Sequence, residues 1–263
     1  MRASRRCSTN TVRNLSAAIF FCALAAGASA AWTEKDSRDE PSTDPNVRHR
    51  HVVLADSETG RRAIVDLAIF GSKACRLRVV DNPGGQVNLA DAMQSTNCLA
   101  AVNGGYFDPS LAPLGLRIIE GKVTSRLARG HLLSGILASN GSVQILRSAE
   151  FSKSKKYRAA IGCGPFLVDL ARPVRGLEAT RAARRTFAAI GSNDRAALGY
   201  CSDATLAEIA LILSAPLGDF TIQRALNLDG GSSSAFWFKR KDGSVFSISE
   251  QKSVRDFVGV VAR

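Results

Sequence analysis

Two stretches of this chain share one design, and it limits what the chain can fold into. Ala-Ala-Val-Asn103-Gly-Gly-Tyr-Phe-Asp108 and Ala-Leu-Asn-Leu-Asp229-Gly-Gly-Ser-Ser-Ser each run from an apolar strand into a polar residue and a pair of glycines. A continuous apolar run of this kind reads as a strand buried on both faces. A glycine pair lets the chain reverse sharply and bares backbone N–H groups. Successive bare amides form nests that hold anions. Asn103 and Asp229 are therefore expected at strand ends, held by a rigid core and facing one cleft. The plainer reading of either segment alone is an ordinary tight turn.

Strand signals dominate the rest. They fall at residues 51–55, 62–70, 76–80, 98–102, 114–119, 135–138, 142–146, 159–161, 166–170, 186–191, 196–200, 225–228, 235–238, 245–248 and 257–261. Asn140-Gly141 and Asp242-Gly243 are hairpin turns. Helices are expected over residues 88–96, capped by Asn88, and 202–214, capped by Ser202. The second carries an apolar stripe of Leu206, Ile209, Ala210 and Leu213. This pattern predicts an α+β domain: a mixed, mostly antiparallel sheet core with a few helices.

The N-terminus has a different character. Arg2, Arg5, Arg6 and Arg13 precede an apolar run over residues 15–26 and the small-residue sequence Ala28-Ser29-Ala30. This reads as a signal peptide over residues 1–30 and predicts an exported, periplasmic or secreted protein. The apolar run is shorter than the roughly 20 residues of a membrane span, so no stable membrane insertion is expected after cleavage. Residues 31–50 are polar and charged, and are expected to be a disordered linker ahead of a single domain at 51–263.

Losing the four leader arginines takes the formal charge from +12 to +8. A basic exported chain suits anionic glycans or phosphates. The arginines are scattered and form no nucleic-acid motif, which argues against nucleic acid. Beyond the leader lie Cys75, Cys98, Cys163 and Cys201. In an exported chain they are expected as the disulfides Cys75–Cys98 and Cys163–Cys201, with four buried thiols as the alternative. They lack the close pairs of a structural zinc site. His49 and His51 leave a metal role open. No cofactor is demanded. Asp229, Asp108 and the serines could ligate Ca²⁺ through oxygen, though no loop pattern requires it.

AVNGGYF (residues 101–107), GCGPFLV (162–168), ARRTFAAIG (183–191) and LNLDGGSSSAF (226–236) occur in the order found in phosphodiester glycosidases, a family this chain resembles over residues 51–261. The resemblance implies a hydrolase that cleaves the glycosidic bond of sugar-1-phosphodiesters in glycans. It implies a site lined by Asn103, Gly104, Gly105, Asp229, Gly230, Gly231 and an arginine, Arg185 or else Arg184. Ser232 stands where the family usually has a third glycine. Lys252 stands where it often has an arginine, keeping the charge without the bidentate fork.

These residue types suit that chemistry. The bond's cleavage builds positive charge at the anomeric carbon and releases a phosphate monoester whose second pKa is about 6, so the leaving group needs little protonation. Asp229 would stabilise the oxocarbenium-like state, or act as nucleophile or base. Arg185, Lys252, the Gly-Gly amides and Ser232 and Ser233 would hold the phosphate. Asp108 is either a second carboxylate or a turn residue before Pro109. His131 could bind phosphate or move a proton, or serve as a surface residue. A non-catalytic anionic-glycan-binding or exopolysaccharide-assembly protein remains the alternative.

Overall fold

The structure is a computed structural model that describes Met1 and residues 32–263, apart from residues 129 and 131. The expected signal peptide beyond Met1, and His131, fall outside the described residues. Among these, no helix is long and apolar enough to cross a membrane.

The chain opens with β1 (Trp32–Pro41), β2 (Val47–Asp56), β3 (Arg62–Gly71) and β4 (Cys75–Asp81). Helix α1 (Leu89–Gln94) leads into β5 (Ala100–Asn103), then β6 (Arg117–Ile119) and β7 (Lys122–Ser125). Next come β8 (Gly135–Asn140), β9 (Ser142–Arg147), β10 (Ala159–Cys163), β11 (Phe166–Asp169) and β12 (Arg172–Pro173). Strands β13 (Ala183–Gly191) and β14 (Arg195–Ala204) precede α2 (Leu206–Ser214) and β15 (Ile222–Asn227). A single 3₁₀ turn, Gly231–Ser233, is followed by β16 (Phe236–Lys239), β17 (Val245–Ile248) and β18 (Asp256–Ala262).

Every strand pairing described is antiparallel. Among the described residues two α-helices stand against eighteen strands: the mostly antiparallel sheet is as expected, and the fold is predominantly β rather than α+β. An eight-stranded sheet runs β1-β2-β3-β14-β13-β15-β11-β12, and two five-stranded sheets run β7-β6-β10-β8-β9 and β17-β16-β5-β18-β4. The largest apolar cluster lies between the eight-stranded sheet and the other two; it holds Phe70, Val102, Ile161, Leu198, Leu226, Phe236 and Val258. The opposite face of the large sheet is covered by α2, whose Ile209, Ile212 and Leu213 share a second apolar cluster with Leu167, Ala197 and Ala225. Helix α1 covers the outer face of β5, β16 and β18 with Leu89 and Met93. Alternation along each strand sends neighbouring residues to opposite faces, which accounts for the separate cores.

Two further expectations are corrected. Residues 32–50 are not a disordered linker, since β1 and the first four residues of β2 lie there. β1 is an edge strand whose side chains stay largely in solvent. Its ladder to β2 and cross-strand charge pairs such as Arg50–Asp39 at 3.0 Å hold it in place of apolar burial. That makes a polar composition resemble disorder. Helix α2 is capped by Thr205, not Ser202. Thr205 Oγ1 accepts from Glu208 N at 3.1 Å and Glu208 Oε2 accepts from Thr205 N at 2.8 Å, a reciprocal capping box. Ser202 instead extends β14, its hydroxyl accepting from Ile64 N at 3.0 Å. Asn88 caps α1 as expected, accepting from Asp91 N at 2.9 Å.

The disulfide expectation fails as well. All four cysteines are free and buried. Cys75 belongs to the central core and Cys98 to the layer under α1, on the other side of their sheet. Cys163 lies in the central core and Cys201 beneath α2. Each expected pair is thus divided by a sheet, and burial raises the thiol pKa of Cys75 to about 11 and of Cys201 to about 12.

Candidate functional site

The two Gly-Gly turns meet. Asn103, fully buried at the end of β5, donates from Nδ2 to the main-chain oxygen of Asp229 at 2.7 Å. In return the Asp229 amide donates to Gly104 O at 3.2 Å. Asn103 Oδ1 accepts from Thr186 Oγ1 at 2.7 Å and from Ala235 N at 3.1 Å. One amide side chain thereby joins β5, β13 and both ends of the Asp229 turn. The polar side-chain atoms of Asn103, expected in the site as a catalytic group, are spent inside the protein.

Asp229 itself is half-buried, as are Gly230, Gly231 and Ser232, so this turn opens to solvent. Burial raises the Asp229 carboxyl pKa, opposed by the nearby Ser233 hydroxyl, the Lys252 charge and the Gly230 amide. Ser233 Oγ lies near that carboxylate but meets no partner in full hydrogen-bond geometry, and Ser234 Oγ is likewise buried without a partner. Gly231 adopts φ +65° with open space where a Cβ would stand. Lys252 is exposed and its Nζ sits 5.9 Å from the Phe107 ring centroid. Its loop is fastened to the turn by Gln251 N donating to Ser232 O at 2.7 Å.

The two arginines of β13 divide their work. Arg184 Nη2 donates to Ser234 O and, at 2.7 Å, to Ser249 O, and its guanidinium lies 5.3 Å from the Tyr200 ring centroid. It ties the turn to the loop before Lys252. Arg185 donates from Nε to Ala204 O at 2.8 Å and from Nη2 to Arg181 O at 2.6 Å. Its Nη1 reaches toward Gly230, 4.0 Å from where a Cβ would be built there. A bulge in the pairing with β14 between Ala183 and Arg185 accompanies this split.

The first turn departs from the expected anion nest. Gly104 N donates to Asp256 O and Gly105 N to Asp256 Oδ1, each at 2.9 Å. These amides are occupied by the main-chain oxygen and the buried carboxylate of Asp256 and cannot also grip phosphate. A Cβ on Gly104 would stand 2.0 Å from Asp256 Oδ1, so close approach explains that glycine. Asp256 was missed in the sequence reading, as was Arg117, whose Nη1 donates to Asp81 Oδ1 at 2.7 Å and Asp256 Oδ2 at 3.3 Å. The available signal was an arginine inside the apolar Leu116–Ile119 run. Burial raises the Asp256 pKa, opposed chiefly by the Gly105 amide and Arg117.

Asp108 resolves as a turn residue. Its Oδ1 accepts from Ser110 N at 2.8 Å, Ser110 Oγ at 2.7 Å and Ala112 N at 2.9 Å, and these bonds lower its pKa. Tyr106 packs under the turn, donating to Gly164 O at 2.6 Å and accepting from Asn227 Nδ2 at 2.8 Å. A cavity of about 710 Å³ opens elsewhere, between Leu116, Ile118, Phe151, Tyr157, Arg126 and Lys156, and includes no residue of either turn.

Residues 96–261 match the sequence model for phosphodiester glycosidases. The chain belongs to the phosphodiester glycosidase family. The match spans both turns, β13 and Lys252. No curated protein is significantly similar in sequence. Among solved structures, the catalytic domain of zebrafish N-acetylglucosamine-1-phosphodiester alpha-N-acetylglucosaminidase is similar at 16% identity and a TM-score of 0.65, over 87% of this chain and 88% of that one. A Synechocystis protein is similar at 16% identity and a TM-score of 0.63, over 83% of this chain and 62% of that one. A Burkholderia pseudomallei protein described as exported is similar at 13% identity and a TM-score of 0.55, over 78% of this chain and 75% of that one. At such identities these neighbours establish the shared family fold and leave substrate to be argued from this chain's own residues.

Proposed function

We propose that this protein is an exported hydrolase that cleaves the glycosidic bond of sugar-1-phosphodiesters in glycans. The observation that carries the reading is the joined pair of turns, which presents one half-buried carboxylate, Asp229, within the field of Lys252, on a turn whose Gly230 is approached by Arg185 Nη1. Water adds to the anomeric carbon as its bond to the phosphate oxygen breaks, one water proton passes to Asp229 or solvent, and the phosphate monoester leaves as an anion. Asp229 stabilises the cationic sugar in the transition state, or attacks it directly. Arg185, Lys252 and the amides of the 230–232 turn take the developing phosphate charge. These amides replace those of Gly104 and Gly105, which Asp256 occupies. Export rests on the basic and apolar leader, and the B. pseudomallei neighbour's description agrees with it.

The engagement of Asp108 in its own turn leaves no second carboxylate at the cleft from the expected set, which favours the alternative of an anionic-glycan-binding protein without turnover. Sugar release from a synthetic sugar-1-phosphodiester separates the two. Wild type should turn over, and Asp229→Asn should lose about 10²–10³ in rate while staying folded. Equal activity in the variant would refute the site, and tight binding without turnover in wild type would establish the binding module.

A further inference from the structure

Two of the chain's three histidines converge on one buried carboxylate away from the joined turns. His49 Nε2 lies 2.8 Å and His51 Nδ1 2.9 Å from the same oxygen, Asp66 Oδ1. On the far side of the ring, His49 Nδ1 lies 3.3 Å from Glu40 Oε2, which also accepts from Arg240 Nε at 2.7 Å. His49 and Asp66 are fully buried, and the His49 ring is stacked on Phe246 at a centroid distance of 4.7 Å. Asp66 Oδ2 is buried with no partner. The strand register builds the cluster: His51 stands opposite Asp66 across β2 and β3, and His49 is two residues away on the same face.

Protons alone serve this arrangement poorly. A neutral imidazole has one N–H and one lone pair, so His49 serves the carboxylate oxygens on both its ring nitrogens only as an imidazolium, and even then Asp66 Oδ2 stays bare. Asp66 meanwhile receives two imidazoles on one oxygen and nothing on the other. A divalent cation answers each mismatch. His49 Nε2, His51 Nδ1 and an Asp66 oxygen already lie within 4.8 Å of one another. With the metal there, His49 offers it a lone pair and donates Nδ1–H to Glu40, the carboxylate–histidine–metal relay that orients ligating imidazoles. Asp66 Oδ2 gains a cation to bind.

We propose that His49, His51 and Asp66 form a binding site for Zn²⁺, oriented by Glu40 and clamping the β1–β2 edge to β3. Two imidazoles and one carboxylate suit zinc, while Ca²⁺ prefers an all-oxygen shell. The proposal is independent of the hydrolase reading, because Asp66 stands two strands from Thr186, about 10 Å across the sheet.

The test uses untagged protein stripped by a chelator, incubated with ZnCl₂ and passed through gel filtration before metal analysis. One zinc per chain should be retained, and added Zn²⁺ should raise the melting temperature. Glu40→Gln should weaken retention about 10- to 100-fold, and His51→Gln should abolish it. Because His51 reaches the surface, that variant should still fold, as circular dichroism will report. If wild type retains substoichiometric zinc, or His51→Gln retains as much as wild type, the cluster is a buried imidazolium between carboxylates and the proposal fails.

Discussion

The side-chain amide of Asn103 holds the main-chain oxygen of Asp229 at 2.7 Å, across 126 residues of sequence. That bond places the carboxylate, because the same Asn103 also accepts from Thr186 and Ala235. Asn103→Ala leaves all three partners unsatisfied in a buried setting. At about 1–3 kcal/mol for an unmade buried bond, and with some relaxation, a loss of about 2–5 kcal/mol is expected in urea denaturation. Sugar release should fall with it even where the variant is folded. A loss below 1 kcal/mol would show that the two turns meet without needing this residue.

The glycines of the two turns answer to different constraints, which predicts opposite kinds of sensitivity. Gly104→Ala drives a Cβ to 2.0 Å from Asp256 Oδ1 and 3.0 Å from its main-chain oxygen, so the buried pair must separate. Gly231→Ala meets nothing within 4 Å and is strained only by φ +65°. The second should cost about 1–2 kcal/mol and the first clearly more. Matched denaturation curves that rank them the other way would contradict the packing described for Asp256.

Arg184 and Arg185 are adjacent, yet they should separate stability from catalysis. Arg184→Ala frees Ser234 O and Ser249 O and loosens the loop before Lys252, so its main signature is a lower melting temperature. Arg185→Lys keeps a charge but loses the fork that spans Ala204 O, Arg181 O and the Gly230 side. Its kcat/KM for a phosphodiester substrate should fall on the order of 10²-fold. Steady-state kinetics showing the larger loss in Arg184→Ala, at equal folded fraction, would reverse the assignment.

Lys252 should set the acid limit of activity. Burial raises the pKa of Asp229 above the usual aspartate value, and the Lys252 charge acts to lower it. The proposed chemistry needs the ionised carboxylate, so activity appears as pH rises through the folded-state pKa. Lys252→Met removes the opposing charge and leaves that pKa higher still. The acid limb of the kcat/KM profile should therefore move to higher pH, and Lys252→Arg should move it back. An unmoved limb in Lys252→Met would place Asp229 outside the rate-determining ionisation.

The two turns of the candidate site were legible before any coordinates, because their signals are local. An apolar run breaking into Asn-Gly-Gly or Asp-Gly-Gly can only be a buried strand meeting a tight reversal, and residues 100–105 and 225–231 are built that way. The motif order also identified the family. Most strands were legible for the same reason, since alternation and turn residues are properties of neighbours. The cap of α2 was misplaced by three residues. Ser202 and Thr205 are both capable caps, and only the extension of β14 through Ala204 selects Thr205 with Glu208.

Contacts between distant segments settled the remainder. No local pattern says that the Gly104 and Gly105 amides are spent on the main-chain oxygen and the carboxylate of Asp256, about 150 residues away. Nor does any say that two sheets divide Cys75 from Cys98 and Cys163 from Cys201, or that the polar 32–41 segment completes a sheet edge. Periodicity along the chain tells which face of a strand is buried, but not which strand lies opposite. Sequence determined the turns and the residue types in them; tertiary packing decided which of their atoms remain free to meet a ligand.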